Sequence, residues 1–228
     1  NMNANEVIAN RALELLGHRK GEYQHLHPNE HVNIGQSTND VYPTAVKVAL
    51  GIAARGLSDA LRALAAECAD KAVEFGDMLK LGRTQLQDAV PMTLGQEFGA
   101  FAVTIGEDAD RMDEAISLIA EINLGGTAIG TGLNAHPSYA GQACERLRQL
   151  TGLPLTTAGD LVEATSDVGS FVQLSGVTKR AAVKLSKICN DLRLLSSGPR
   201  AGFGEIVLPA VQAGSSIMPG KFNPVIPE

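Results

Sequence analysis

Residues 44–75 and 160–196 contain no proline, and in both stretches Ala, Val and Leu recur at helical spacing. Read as single helices at about 1.5 Å per residue, they span about 48 Å and about 55 Å. A compact domain of this length has a radius of gyration of only about 17 Å. Helices longer than the domain is wide dictate an elongated bundle. Their apolar stripes are expected to continue into a second copy of the chain, which makes a homo-oligomer the natural assembly.

Shorter segments fit the same reading. Residues 3–16 carry Val7, Ile8, Ala12, Leu15 and Leu16 at the helical period, with Gly17 placed to end the helix. Pro91 is placed to open a further helix reaching about residue 123, and residues 140–151 form a shorter one. The connections are residues 18–36, 76–90, 124–138 and 199–223, where polar residues, Gly and Thr dominate. Glu205 to Leu208 is the one plausible short strand. The expected class is all-α.

Composition removes several function classes. Apolar residues make up 44% and charged residues 19%, too apolar for a disordered chain. The net charge of −6 supplies no general field for nucleic acid or an anionic membrane. There is no Trp and few other aromatics to stack on bases. No apolar run approaches the roughly 20 residues that cross a bilayer. Cys68, Cys144 and Cys189 lie far apart, which suits a reducing cytoplasm rather than a disulfide framework or a zinc site. The chain begins Asn1-Met2-Asn3 and stops at Pro227-Glu228, as expected of an interior fragment of a longer protein.

Three polar clusters occupy the connections. Gln36-Ser37-Thr38-Asn39-Asp40 reads first as a helix cap. The same hydroxyl and amide donors at a helix start also make a carboxylate site. The second, GRTQLQDAVP from Gly82 to Pro91, reads alone as a solvated loop. The third, GSSIMPGKFNP from Gly214 to Pro224, pairs two hydroxyls with Lys221 in a Gly- and Pro-punctuated loop. A plain linker rarely combines these features.

GSSIMPGKFNP resembles the GSSxMPxKxNP signature of the fumarase/aspartase superfamily. QSTNDVYPTA and GRTQLQDAVPMTLGQE resemble its other two active-site regions, in the family's order and across the whole chain. GRTQLQDAVPMTLGQEF and SKICNDLRLLSSGPRAG are most similar to the aspartase branch. The resemblance implies that residues 1–228 are the central helical domain, with an N-terminal part and a small C-terminal domain outside them.

The same resemblance implies roles. Ser215 matches the general base that takes a proton from the carbon beside the retained carboxylate. Ser216, Ser37 and Thr38 match groups that hold that carboxylate. Asn39 matches a residue near the leaving group, Thr84 and Gln85 flank the substrate, and Lys221 and Asn223 bind the other carboxylate. The implied reaction is reversible deamination of L-aspartate to fumarate and ammonia, with fumarase-type hydration as the runner-up and a structural, inactive helical core as the third reading. A small dicarboxylate is the implied partner, held in a tetramer with composite sites; no nucleic acid, membrane, metal or cofactor is called for.

Elementary chemistry agrees with those roles. Removing a proton beside a carboxylate puts a second negative charge on that group, which must meet preorganised donors away from water. A serine base needs surroundings that favour its alkoxide, and a closing Gly-rich loop near Lys221 can supply them. The sequence departs from the family pattern in places. Gln85 stands where many relatives carry His, Glu30 where Asp is common, and Phe222 where Val is common. A threonine ligand of the family falls before Asn1.

His18, His25, His27 and His31 share one loop, but Pro28 interrupts it and their spacing fits no single helical face. A solvated loop is expected. His27-Pro28-Asn29 also matches a family segment tied to a secondary carboxylate site. His136, before Pro137, reads as structural.

Overall fold

The computed structural model describes all residues from Asn1 to Glu228. It is mostly helical, as expected, with two small two-stranded sheets. After α1 (Met2–Leu15) and one π-helical turn at Pro28–Val32, the longest helix is α2 (Thr38–Glu74). It starts before Pro43 rather than at it, so Pro43 lies inside. Proline has no N–H for the carbonyl four residues back, which is that of Asn39. The Asn123 side-chain amide fills the gap, donating to the Asn39 carbonyl oxygen at 3.1 Å.

Residues 76–90 were expected to be irregular, and Pro91 to start a helix. Instead β1 (Leu79–Thr84) and β2 (Gln87–Thr93) form an antiparallel hairpin, with Pro91 inside β2 opposite Leu81. A proline suits a two-stranded ribbon, where one side of each strand is unpaired. The next helix, α3 (Leu94–Ile119), has a reciprocal cap. Gln96 N–H donates to Thr93 Oγ1 at 3.1 Å and Thr93 N–H to Gln96 Oε1 at 3.0 Å. That is a capping box, two orphan donors satisfied by one sequence pattern.

Beyond α3, β3 (Glu121–Ile122) pairs in parallel with β4 (Thr156–Thr157), and α4 (Tyr139–Thr151) lies between them in sequence. The stretch 160–196 is two helices rather than one: α5 (Leu161–Ser166) and α6 (Gly169–Leu195). An aspartate caps each start. Asp160 Oδ1 accepts from Val162 and Glu163 N–H at 2.8 and 3.1 Å, and Asp167 Oδ2 accepts from Gly169 N–H at 2.7 Å. Glu205 to Leu208 form no strand, and an isolated bridge joins Ala213 to Phe222 instead.

The chain divides into two compact units. The first comprises Asn1–Gly56 and Asp113–Leu174. Its core gathers Ile122, Leu124, Cys144, Leu153 and Leu155, with Val41 and Val48 of α2 packed against it. Lys47 is buried in this unit and donates to the Glu121 carbonyl at 2.6 Å; burial pushes its ammonium pKa down. The second comprises Leu57–Met112 and Ser175–Glu228. Leu61, Phe101, Ile105, Ala109, Ala181 and Ile188 form its core. Each large side chain buried there contributes about 1.5–3 kcal/mol. Buried Asp108 meets Arg180 at 3.0 Å and Lys184 at 3.1 Å, so its charge is paired. All three cysteines are free, and no helix is long and apolar enough to cross a membrane.

Candidate active site

Ser37, Thr38 and Asn39 occupy one capped turn at the start of α2, in the first unit. Ser37 Oγ accepts from Asn39 N–H at 3.2 Å, and Asp40 Oδ1 accepts from Ser37 N–H at 2.9 Å. Capping and ligand-binding are therefore not rivals at this turn. The cap fixes the backbone, while Thr38 and Asn39 stay exposed beside the positive end of the helix.

Asp40, which sequence reasoning left out of the site, organises this turn. It is fully buried, and its Oδ2 accepts from Gly125 N–H at 3.1 Å and Thr127 N–H at 3.0 Å. The Gly- and Thr-rich segment 124–138, expected only to turn the chain, thus wraps its N–H groups around a carboxylate as an anion nest does. The wrapping requires backbone that few residues adopt, with φ of +98° at Gly125 and +57° at Thr127. A Cβ at Gly125 would stand 2.5 Å from that of Ala140. Asn39 Nδ2 completes the contact by donating to the Ala128 carbonyl at 2.7 Å.

Asp40→Asn replaces an acceptor with an NH2 group facing N–H donors. It is expected to cost about 2 kcal/mol, because buried donors lose their partner. Denaturant unfolding of the full-length variant checks this. An unchanged midpoint would remove the carboxylate from that role.

Thr84 and Gln85 lie at the tip of the β1–β2 hairpin, in the second unit. The two-residue turn is Gln85-Leu86, with φ of +54° and +62°. Both central residues of a type I′ turn need positive φ, which normally selects Asn-Gly. Left-handed backbone costs a residue with a side chain about 1–2 kcal/mol. Strain of this kind persists where surrounding structure over-determines it, and it clusters at functional loops. The tip borders a cavity of about 330 Å³ lined also by Lys80, Arg83, Glu97 and Lys187.

A charge network holds one face of this hairpin, and nothing local in the sequence announced it. Arg83 and Lys80 both bind the Glu205 carboxylate, Lys80 at 3.1 Å, and Lys80 also pairs with Glu97. The Arg83 guanidinium lies 4.1 Å from the Phe203 ring centroid. The Arg83 hydrogen bond, helped by Lys80 and opposed by burial, holds the Glu205 carboxyl below the ordinary glutamate range. Glu205 N–H donates to the Leu195 carbonyl at 2.9 Å. The residues that lead into the third cluster are thereby fixed to α6 and the hairpin.

Ser215, Ser216, Lys221 and Asn223 share one exposed loop in the second unit. It closes on itself through the Ala213–Phe222 bridge, with Met218 N–H on the Ser215 carbonyl at 2.9 Å and Lys221 N–H on the Met218 carbonyl at 3.1 Å. A Cβ at Gly214 would stand 2.0 Å from the Lys221 carbonyl oxygen, so only glycine allows the closure. Ser215 Oγ accepts only a long bond, 3.4 Å, from Ile217 N–H. The loop presents a hydroxyl pair and an ammonium to solvent.

The predicted residues thus fall into three internally ordered groups: a helix start, a strained hairpin tip and an open loop. His136 is structural, its Nδ1 in hydrogen bonds with Ser138 Oγ at 2.8 Å and Ser138 N–H at 3.2 Å.

The family described as lyase matches residues 1–228. Aspartate ammonia-lyase of Pseudomonas aeruginosa is 65% identical over 229 residues, covering 100% of this chain and 48% of that protein. Aspartate ammonia-lyase of Escherichia coli K12 is 59% identical, again over 100% of this chain and 48% of its own length. Among solved structures, fumarate lyase:delta crystallin from Brucella melitensis bound to cobalt superposes with a TM-score of 0.95 at 62% identity, covering 99% of this chain and 49% of that one. Recombinant class II fumarase from Schistosoma mansoni gives 0.94 at 38% identity, covering 99% and 50%. The chain spans about half the length of the curated relatives it matches.

Proposed function

Since the chain belongs to the lyase family, within the fumarase/aspartase superfamily, we propose that it is the central helical part of an ammonia-lyase that converts L-aspartate reversibly to fumarate and ammonia. The observation that carries this reading is the identity of 59–65% to aspartate ammonia-lyases across the whole chain. The fumarase neighbour stands at 38%. In the whole protein, an N-terminal part and a small C-terminal domain flank residues 1–228, and the assembly is a cytoplasmic homotetramer.

In this mechanism the Ser215 alkoxide takes a proton from the carbon beside one carboxylate. The electron pair moves into that carboxylate, which becomes a doubly charged aci-carboxylate. Ser216, Ser37 and Thr38 donate hydrogen bonds to it, as an oxyanion hole does for its charge. The pair then returns to form the C=C bond, and the C–N bond breaks to release ammonia beside Asn39. Lys221 and Asn223 hold the second carboxylate, while Thr84 and Gln85 set the substrate's position. Exposure of the Ser215 loop supports a part that closes over substrate, since closure excludes water and strengthens each of these contacts.

The expected result with the full-length protein is fumarate absorbance from L-aspartate and none from L-malate. Equal or faster turnover of malate would assign the chain to the fumarases. Absence of both reactions would favour the structural reading.

A further inference from the structure

We propose that His18, Glu22 and His25 form a binding site for a divalent d-block cation of the zinc class. The spacing of these residues hid the site, because they share no helical face. A loop of turns between α1 and the Pro28–Val32 π-turn brings them together instead. One potential ligand atom from each lies within 4.8 Å of the other two. His18 Nδ1 is 3.5 Å from Glu22 Oε2. Two ligands on a tetrahedral ion, each at about 2.0–2.1 Å, stand about 3.3 Å apart, so one edge is already close to the required length. The His25 ring stacks on that of His18 with centroids 3.9 Å apart and 9° between planes. His25 is exposed, and a side-chain rotation that gives up this stack turns its ring nitrogen toward the ion.

The four histidines of the loop do not share this role. His27 Nδ1 accepts from Asn29 and Glu30 N–H at 3.1 and 3.3 Å, and His31 Nδ1 accepts from His27 N–H at 2.8 Å. Those two spend a ring nitrogen on local backbone. His18 and His25 face each other and a carboxylate.

The loop is also held in place before any ion arrives. Asn10 of α1 accepts from Gly21 N–H at 2.8 Å through Oδ1 and donates to the Tyr23 hydroxyl at 3.1 Å through Nδ2. Glu22 Oε2 accepts from Arg19 N–H at 3.0 Å, which orients the carboxylate as outer partners orient metal ligands. The neighbouring cation Lys20 is paired with Glu14 at 3.2 Å, so its charge does not stand against an incoming ion. Two imidazoles and one carboxylate suit zinc-class ions, and three protein ligands leave a fourth position for water.

The test is calorimetric titration of the metal-stripped full-length protein with Zn²⁺. One ion per chain is expected, bound more tightly than about 100 µM. His18→Gln, Glu22→Gln and His25→Gln are each expected to weaken binding at least tenfold. His136→Gln is expected to leave it unchanged, and circular dichroism verifies that every variant is folded. Zinc X-ray absorption should show two imidazoles in the coordination sphere. Binding weaker than that limit, or a loss below tenfold in any of the three ligand variants, overturns the site.

Discussion

Replacing Ser215 by alanine in the full-length protein is expected to lower kcat for L-aspartate by about 10²–10⁴-fold, the range of a positioned general base. KM is expected to stay within about threefold, because a base acts in the transition state and adds little to ground-state binding. The structure makes this a clean substitution. Ser215 is exposed, and its hydroxyl accepts only the 3.4 Å bond from Ile217 N–H. Truncating it leaves no buried donor unsatisfied and no cavity. The thermal midpoint should therefore stay unchanged while turnover collapses. Steady-state kinetics with L-aspartate settles the matter: a variant keeping more than a tenth of wild-type kcat would place the base elsewhere.

What could be read from the sequence follows from how far each interaction reaches along the chain. Helices were legible because their period and their stops are local, as at α1, α4 and most of α2. Where a local signal was misread, a competing local signal was responsible. Pro91 looked like a helix start, yet the Thr93–Gln96 capping box two residues later sets the true one. Asp167 broke the last long stretch because its carboxylate caps a new helix at Gly169. The Gln85-Leu86 turn was not legible, since neither residue favours positive φ and the hairpin imposes it.

Candidate site residues could be named only where they form contiguous strings. Ser37 to Asn39 and Ser215 to Asn223 could be named, whereas their supports could not. Asp40 binds N–H groups more than eighty positions away, at Gly125 and Thr127. Arg83 binds Glu205, 122 positions away. Glu205 was instead expected in a strand, because alternation is visible locally and an ion pair across the chain is not. A sequence strip shows the candidate substrate groups more readily than the groups that aim them.

Mixing two inactive full-length variants is expected to restore activity, because the proposed site draws its clusters from different chains. Ser37 to Asn39 open α2, a single helix of 37 residues. At about 1.5 Å per residue it is about 55 Å long. Thr84 follows the helix end at Glu74 by only ten residues. Even fully extended, those residues reach back at most about 36 Å. In the proposed reading the clusters that meet on a substrate come from different chains, and a closed symmetric tetramer is the natural way to bring them together. In the proposed assembly the helix start, the hairpin tip and the Ser215 loop of each site belong to three chains. Ser37→Ala/Thr38→Ala and Ser215→Ala are each expected to be inactive alone. Dissociated, mixed equally and reassembled, they should give about one intact site in four under random assortment. Activity near a quarter of wild type is the expected reading. Hybrid tetramers verified by mass spectrometry that stay inactive would overturn the shared site, as would a ligand complex with Thr38 and Thr84 of one chain on the same substrate.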